Sequence, residues 1–113
     1  MWVNKGSSSI FVKQWNQVSN DLAGRIQSRY EDCDGFEDME IKDELIKVSF
    51  KNNNVFVINR QTAKNEIWYS SPISGPSQFA YDETLQSWKS KPDKELYSLI
   101  FKDLDLIAFD CKN

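Results

Sequence analysis

Six short stretches rich in β-branched and aromatic residues, 39–42, 45–51, 55–61, 67–71, 78–82 and 87–91, follow one another with no more than six residues between neighbours. A parallel crossover needs a dozen or more residues, so links this short allow only antiparallel pairing. The links carry turn chemistry: Asn52-Asn53-Asn54, Thr62-Ala63-Lys64-Asn65, Pro72-Ile73-Ser74-Gly75-Pro76 and Asp82-Glu83. Two stretches of helical period flank this meander. In the first, Phe11, Trp15, Val18, Leu22, Ile26 and Tyr30 recur every three or four positions, with Ser8 or Ser9 as N-cap. Gly24 costs that helix about 1 kcal/mol relative to Ala, but the stripe continues on both sides of it. The second starts with Asp93 as N-cap and carries Leu96, Leu99, Ile100, Leu104 and Ile107. The order helix, about six strands, helix predicts an α+β fold: a two-layer sandwich with both helices on one face of an antiparallel sheet and the other face open to water. With 113 residues, 40% of them hydrophobic, the chain makes one domain, 1–113, of which 1–9 is expected to be flexible.

Composition removes many functions. There is no histidine, so Ser-His-Asp triads, Cys-His pairs and His-ligated zinc are impossible within the chain. A net charge of −3 argues against nucleic acid, whose phosphates call for Lys and Arg. No run approaches the roughly 18 apolar residues of a membrane helix, so no membrane partner is expected. Cys33 and Cys111 lie far apart without a CxxC spacing, and read as two thiols in a reducing compartment in preference to a disulfide. The N-terminal residues carry neither a signal-peptide core nor an Arg-rich presequence.

The acids are concentrated. Residues 31–44 hold eight of the 17, with Lys42 the one base, for a local charge of −7, while the rest of the chain carries +4. Glu31 and Asp32 fall at the C-terminal end of the first helix, where the helix dipole disfavours them, which invites a second explanation such as a cation. Without histidine or thiolate help, carboxylates suit hard cations with oxygen ligands and water completing the shell. The spacing matches neither an EF-hand nor a Glu-x-x-His di-iron motif, so weak, exposed, multi-site binding is the most this cluster supports. General acid–base catalysis has no companion nucleophile or pocket signature here, and no catalytic residue is assigned.

On the open face, strand alternation directs Phe56 and Ile58 toward the helices and Val57, Asn59 and Gln61 outward. In the next strand Ile67 and Tyr69 face in, and Trp68 and Ser70 face out. An indole on a solvated sheet beside Asn and Gln side chains has the composition of an interaction hot spot, unless its own loop covers it.

Val57-Ile58-Asn59-Arg60-Gln61, followed by Ile67-Trp68-Tyr69-Ser70-Ser71-Pro72-Ile73-Ser74-Gly75-Pro76, resembles the frataxin family from about Phe36 to the C-terminus, with Trp88 and the second helix also in place. The first helix resembles it only thinly. The resemblance implies the helix, sheet, helix sandwich and a mitochondrial protein, of the matrix or a derived organelle, that binds Fe2+ or Fe3+ weakly at exposed carboxylates. Its implied partners are a cysteine desulfurase and an iron–sulfur scaffold protein, and its implied role is that of an activator or iron donor. The alternative is a ferroxidase that oxidises Fe(II) at ridge carboxylates and stores it, with iron-driven oligomers of an otherwise monomeric protein. By resemblance, Val57, Asn59, Gln61, Trp68, Ser70 and Gln78 contact the partners. Glu31, Asp32, Asp34, Glu37, Asp38 and Glu40 match the family's acidic ridge, with Asp21 the one acid in the body of the first helix. Gly24, Gln27 and Ser28 thin the ridge where many members have carboxylates. Gln78 stands where many have a basic residue, which should weaken charge-assisted contact there. The chain stops soon after the second helix, so a segment covering the gap between helices is expected to be short, and the protein less stable for it.

Overall fold

The computed structural model describes residues 2–108, with side chains from Ser9 onward. Its elements are α1 (Trp2–Tyr30), β1 (Phe36–Lys42), β2 (Leu45–Phe50), β3 (Asn54–Gln61), β4 (Glu66–Ser71), β5 (Gly75–Asp82), β6 (Ser87–Ser90), β7 (Lys94–Glu95) and α2 (Leu96–Ile107). The sheet is an antiparallel meander in the order β1-β2-β3-β4-β5-β6-β7, one strand more than the sequence pattern predicts. The addition is the two-residue β7, in which Lys94 pairs with Ser90 and Glu95 with Lys89, too short to leave a periodic signal. Asn52 and Asn53 both take positive φ, the mirror-image turn that matches strand twist in a tight hairpin.

Both helices lie on one side. Phe11, Trp15, Leu22, Ile26 and Tyr30 of α1 and Leu96, Ile100 and Leu104 of α2 are buried against Ile46, Val48, Phe56, Ile58, Ile67, Tyr69 and Phe79 of the sheet. Aromatic edges lock the layers: Tyr30 meets Phe50 at 6.1 Å and Phe11 meets Trp88 at 5.9 Å between ring centroids. The buried Trp15 indole donates its N–H to the Asp43 carbonyl at 2.7 Å, which ties the β1–β2 turn to α1.

Three expectations are corrected. Helix α1 runs through Ser8 and Ser9, so neither caps it; no proline interrupts the first turns. Glu95, not Asp93, caps α2, because residues 94–95 first pair as β7 and bring the Glu95 carboxylate to the Tyr97 and Ser98 amides at 3.1 and 3.0 Å. Cys33 is disulfide-bonded; the one other cysteine of the sequence, Cys111, lies outside the described residues. Distance along the chain gave the wrong expectation because Arg29 and Tyr30 both bond Asp105, at 2.9 and 2.6 Å, which places the residues before Cys33 beside the end of α2.

One buried carboxylate joins the layers. Asp103 of α2 is 1% exposed, and its Oδ2 accepts from the Tyr69 hydroxyl at 2.8 Å and the Ser74 hydroxyl at 2.6 Å. Burial, with Asp103 adding to it, pushes the Tyr69 hydroxyl pKa upward, so it stays a donor at neutral pH. In the same loop Ser71 Oγ accepts from the Ile73 and Ser74 amides at 3.0 and 3.2 Å, and Gly75 takes a φ of 78°.

Asp103→Ala removes the carboxylate that accepts from both the Tyr69 and the Ser74 hydroxyls and should destabilise the fold by about 2 kcal/mol or more in denaturant unfolding; a loss of a few tenths would contradict this role. Gly24 is exposed within α1 and a Cβ there meets no atom within 4 Å. Gly24→Ala should therefore stabilise by about 0.5–1 kcal/mol and raise the melting temperature by a few degrees, whereas a lowered midpoint would show that the helix needs glycine there.

Candidate functional site

Two surfaces carry the residues singled out by sequence, and the pleat decides where each lies. On the uncovered face the register places Asn59 opposite Trp68 and Trp68 opposite Gln78, a continuous row across β3, β4 and β5. Val57 and Ser70 form the adjacent row, and Gln61 pairs with Glu66 in the next. All six predicted contact residues thus share one patch, and their neighbours Phe56, Ile58, Ile67, Tyr69 and Phe79 are buried beneath the helices. Trp68 is half-buried, and its indole N–H donates to Glu66 Oε1 at 2.9 Å. That bond along its own strand holds the ring by one edge. Glu66 was not singled out by sequence, although its position two residues from Trp68 puts it on the same face. Leu45 and Lys47, opposite Asn59 and Val57, extend the patch onto β2 and were also missed, because only register reveals them.

The acidic segment occupies the turn after α1 and the edge strand β1. Glu37 is the extra residue of a β-bulge, since Phe36 pairs with Phe50 and Asp38 with Ser49. A shallow cavity of about 270 Å³ between the end of α1 and β1 is lined by Gln27, Glu31, Glu37 and Asp38 with Phe36 and Met39. Glu40 is answered by Lys42 at 3.2 Å and faces Lys47 across the ladder. Among the described residues no ion pair involves Glu31, Asp32, Asp34, Glu37 or Asp38. No three Asp, Glu or Cys side chains among the described residues converge as a metal site.

Asp21 lies elsewhere. Arg25 Nε meets its Oδ2 at 3.0 Å and the Tyr97 hydroxyl donates to the same oxygen at 2.8 Å, so it stitches α1 to α2. Burial foremost, and Asp21 after it, raises the Tyr97 pKa and keeps that hydroxyl a donor. Ten residues of helix separate Asp21 from Glu31, about 15 Å along the axis, so the two do not share one site.

Helices on one face, a polar sheet face with a central indole on the other and a carboxylate edge define a class: small α+β sandwiches with two helices packed on one side of an antiparallel sheet. Residues 5–108 match the frataxin-like domain, and the chain belongs to that family. It is 40% identical over 68 residues to mitochondrial frataxin of Dictyostelium discoideum, covering 60% of this chain and 35% of that protein. It is 27% identical over 106 residues to mitochondrial frataxin of Arabidopsis thaliana, covering 88% and 56%. The chain thus spans about a third to a half of the length of these relatives. The fold agrees with frataxin from Psychromonas ingrahamii at a TM-score of 0.75, 16% identity and coverage of 89% and 90% of the two chains. It agrees with trimeric frataxin from Saccharomyces cerevisiae complexed with ferrous iron at 0.67, 20% identity and coverage of 87% and 85%.

Proposed function

We propose that this protein acts in iron–sulfur cluster assembly as an iron-binding regulator or iron donor, docking on a cysteine desulfurase–scaffold complex through the open face. The observation that carries this reading is the contiguous patch formed by Val57, Asn59, Gln61, Trp68, Ser70 and Gln78 on the sheet face that neither described helix covers. A half-exposed indole ringed by amides and short polar groups is a surface built to bury against a partner. Curated relatives named as mitochondrial support a mitochondrion or derived organelle as the place of work. The ferrous complex of the yeast relative supports Fe(II) as cargo, held weakly where Glu31, Glu37 and Asp38 border one cavity. The alternative reading, Fe(II) oxidation at ridge carboxylates, would draw on the same side chains.

In anaerobic sulfide-production assays at fixed Fe(II), Trp68→Ala should keep a wild-type melting curve and lose most of the stimulation, with binding weakened by about 2 kcal/mol, roughly thirtyfold. Full stimulation by that folded variant would sink the docking reading. Glu37→Gln with Asp38→Asn should weaken anaerobic Fe(II) binding severalfold, whereas Asp21→Asn should leave it unchanged. The reverse pattern would move the iron site to the helix seam.

A further inference from the structure

The uncovered face has a second, oppositely charged feature beside the indole row. Lys89, Lys91 and Lys94, from β6, the β6–β7 turn and β7, border a groove of about 560 Å³ whose floor includes Gln78 and Ala80 of β5. Gln78 belongs both to this groove and to the Asn59–Trp68–Gln78 row. Its one acid, Glu66, is engaged by the Trp68 indole, and Lys89 meets Asp93 at 3.4 Å, an ion pair worth little because the Asp93 side chain is 89% exposed. Among the described residues Lys91 and Lys94 make no ion pair.

We propose that this lysine groove seats an acidic polypeptide segment of the protein that docks on the open face, an inference that rests on the docking reading above. Gln78 contributes no charge, and the positive potential beside Trp68 comes instead from the neighbouring strands. A peptide carboxylate fits better than a phosphate group. The backbone N–H groups of a helix N-terminus that often help seat a phosphate are not free here, because the first amides of α2 are taken by Glu95. Lysines supply point charges on flexible stems, suited to the mobile carboxylates of an extended segment. The chain's own acidic edge cannot fill the groove within one molecule, because six strand spacings, roughly 25–30 Å, separate β1 from β7. The face is therefore polarised, acidic at one edge and basic near the other. A matching partner presents bases toward β1 and acids toward β6 and β7.

The test compares affinity for the desulfurase–scaffold complex of wild type, Trp68→Ala and the double variant Lys91→Glu with Lys94→Glu, at low and physiological salt. The expected result is about tenfold weaker binding by the double variant, with a reduced salt dependence and an unchanged melting curve. Unchanged affinity of the double variant while Trp68→Ala loses binding overturns the groove proposal and leaves the docking reading intact. Unchanged affinity in both overturns the docking reading and the groove proposal with it. Competition by millimolar inorganic phosphate, at matched ionic strength, overturns it in favour of a free anion site. Self-association of the wild type that the lysine changes abolish, seen by light scattering, overturns it in favour of a second copy of this chain.

Discussion

Short links between strands are the constraint from which the rest follows. With no room for a crossover, all seven strands pair antiparallel in sequence order, and among the described residues the segments that cover the sheet are the two helices flanking it. Both pack on the same side, where alternate residues of β2 to β5 supply an apolar surface. Among the described residues no helix packs on the opposite side. Its side chains are amides, hydroxyls, lysines, carboxylates, a few apolar groups and the half-buried indole of Trp68.

The loop between β4 and β5 shows how a sequence signature can be structural. Ser71, Ser74 and Gly75 belong to the stretch that carries the family resemblance, yet none of them faces the open patch as a ligand would. Ser71 folds the turn by accepting two amides, Ser74 hooks it to the buried Asp103 of α2, and Gly75 takes the positive φ with which β5 begins. Together they fix the hairpin on which Trp68 and Gln78 stand opposite one another. The signature thus positions the open sheet face, and Asp103 and Tyr69 anchor that hairpin to α2 through the core.

Much of this was legible in the sequence because pleat and helix periods are short-range properties. The α1 stripe, the inward set Phe56, Ile58, Ile67 and Tyr69, and the outward set around Trp68 all follow from spacing alone. What was not legible depends on register or on contacts distant in sequence. The bulge at Glu37, the company of Leu45 and Lys47, and the lysine groove require knowing which strand lies beside which. Asp103 reads as an ordinary surface acid of an amphipathic helix until Tyr69 and Ser74 are placed against it. That Asp21 pairs with Arg25 and accepts from Tyr97 likewise requires knowing that α2 lies beside α1. The disulfide at Cys33 was missed because spacing along the chain says nothing about which ends of the helices meet.

The central claim is that the face without helices is the one that meets the assembly complex. Hydroxyl-radical footprinting reads it most directly, since Trp68 is an oxidisable ring on that face. On addition of the desulfurase–scaffold complex, the account predicts that oxidation of Trp68 falls severalfold while that of Tyr97, in the seam between the helices, is unchanged. Protection of Tyr97 with Trp68 still fully reactive would place the partner on the helical side and contradict the account.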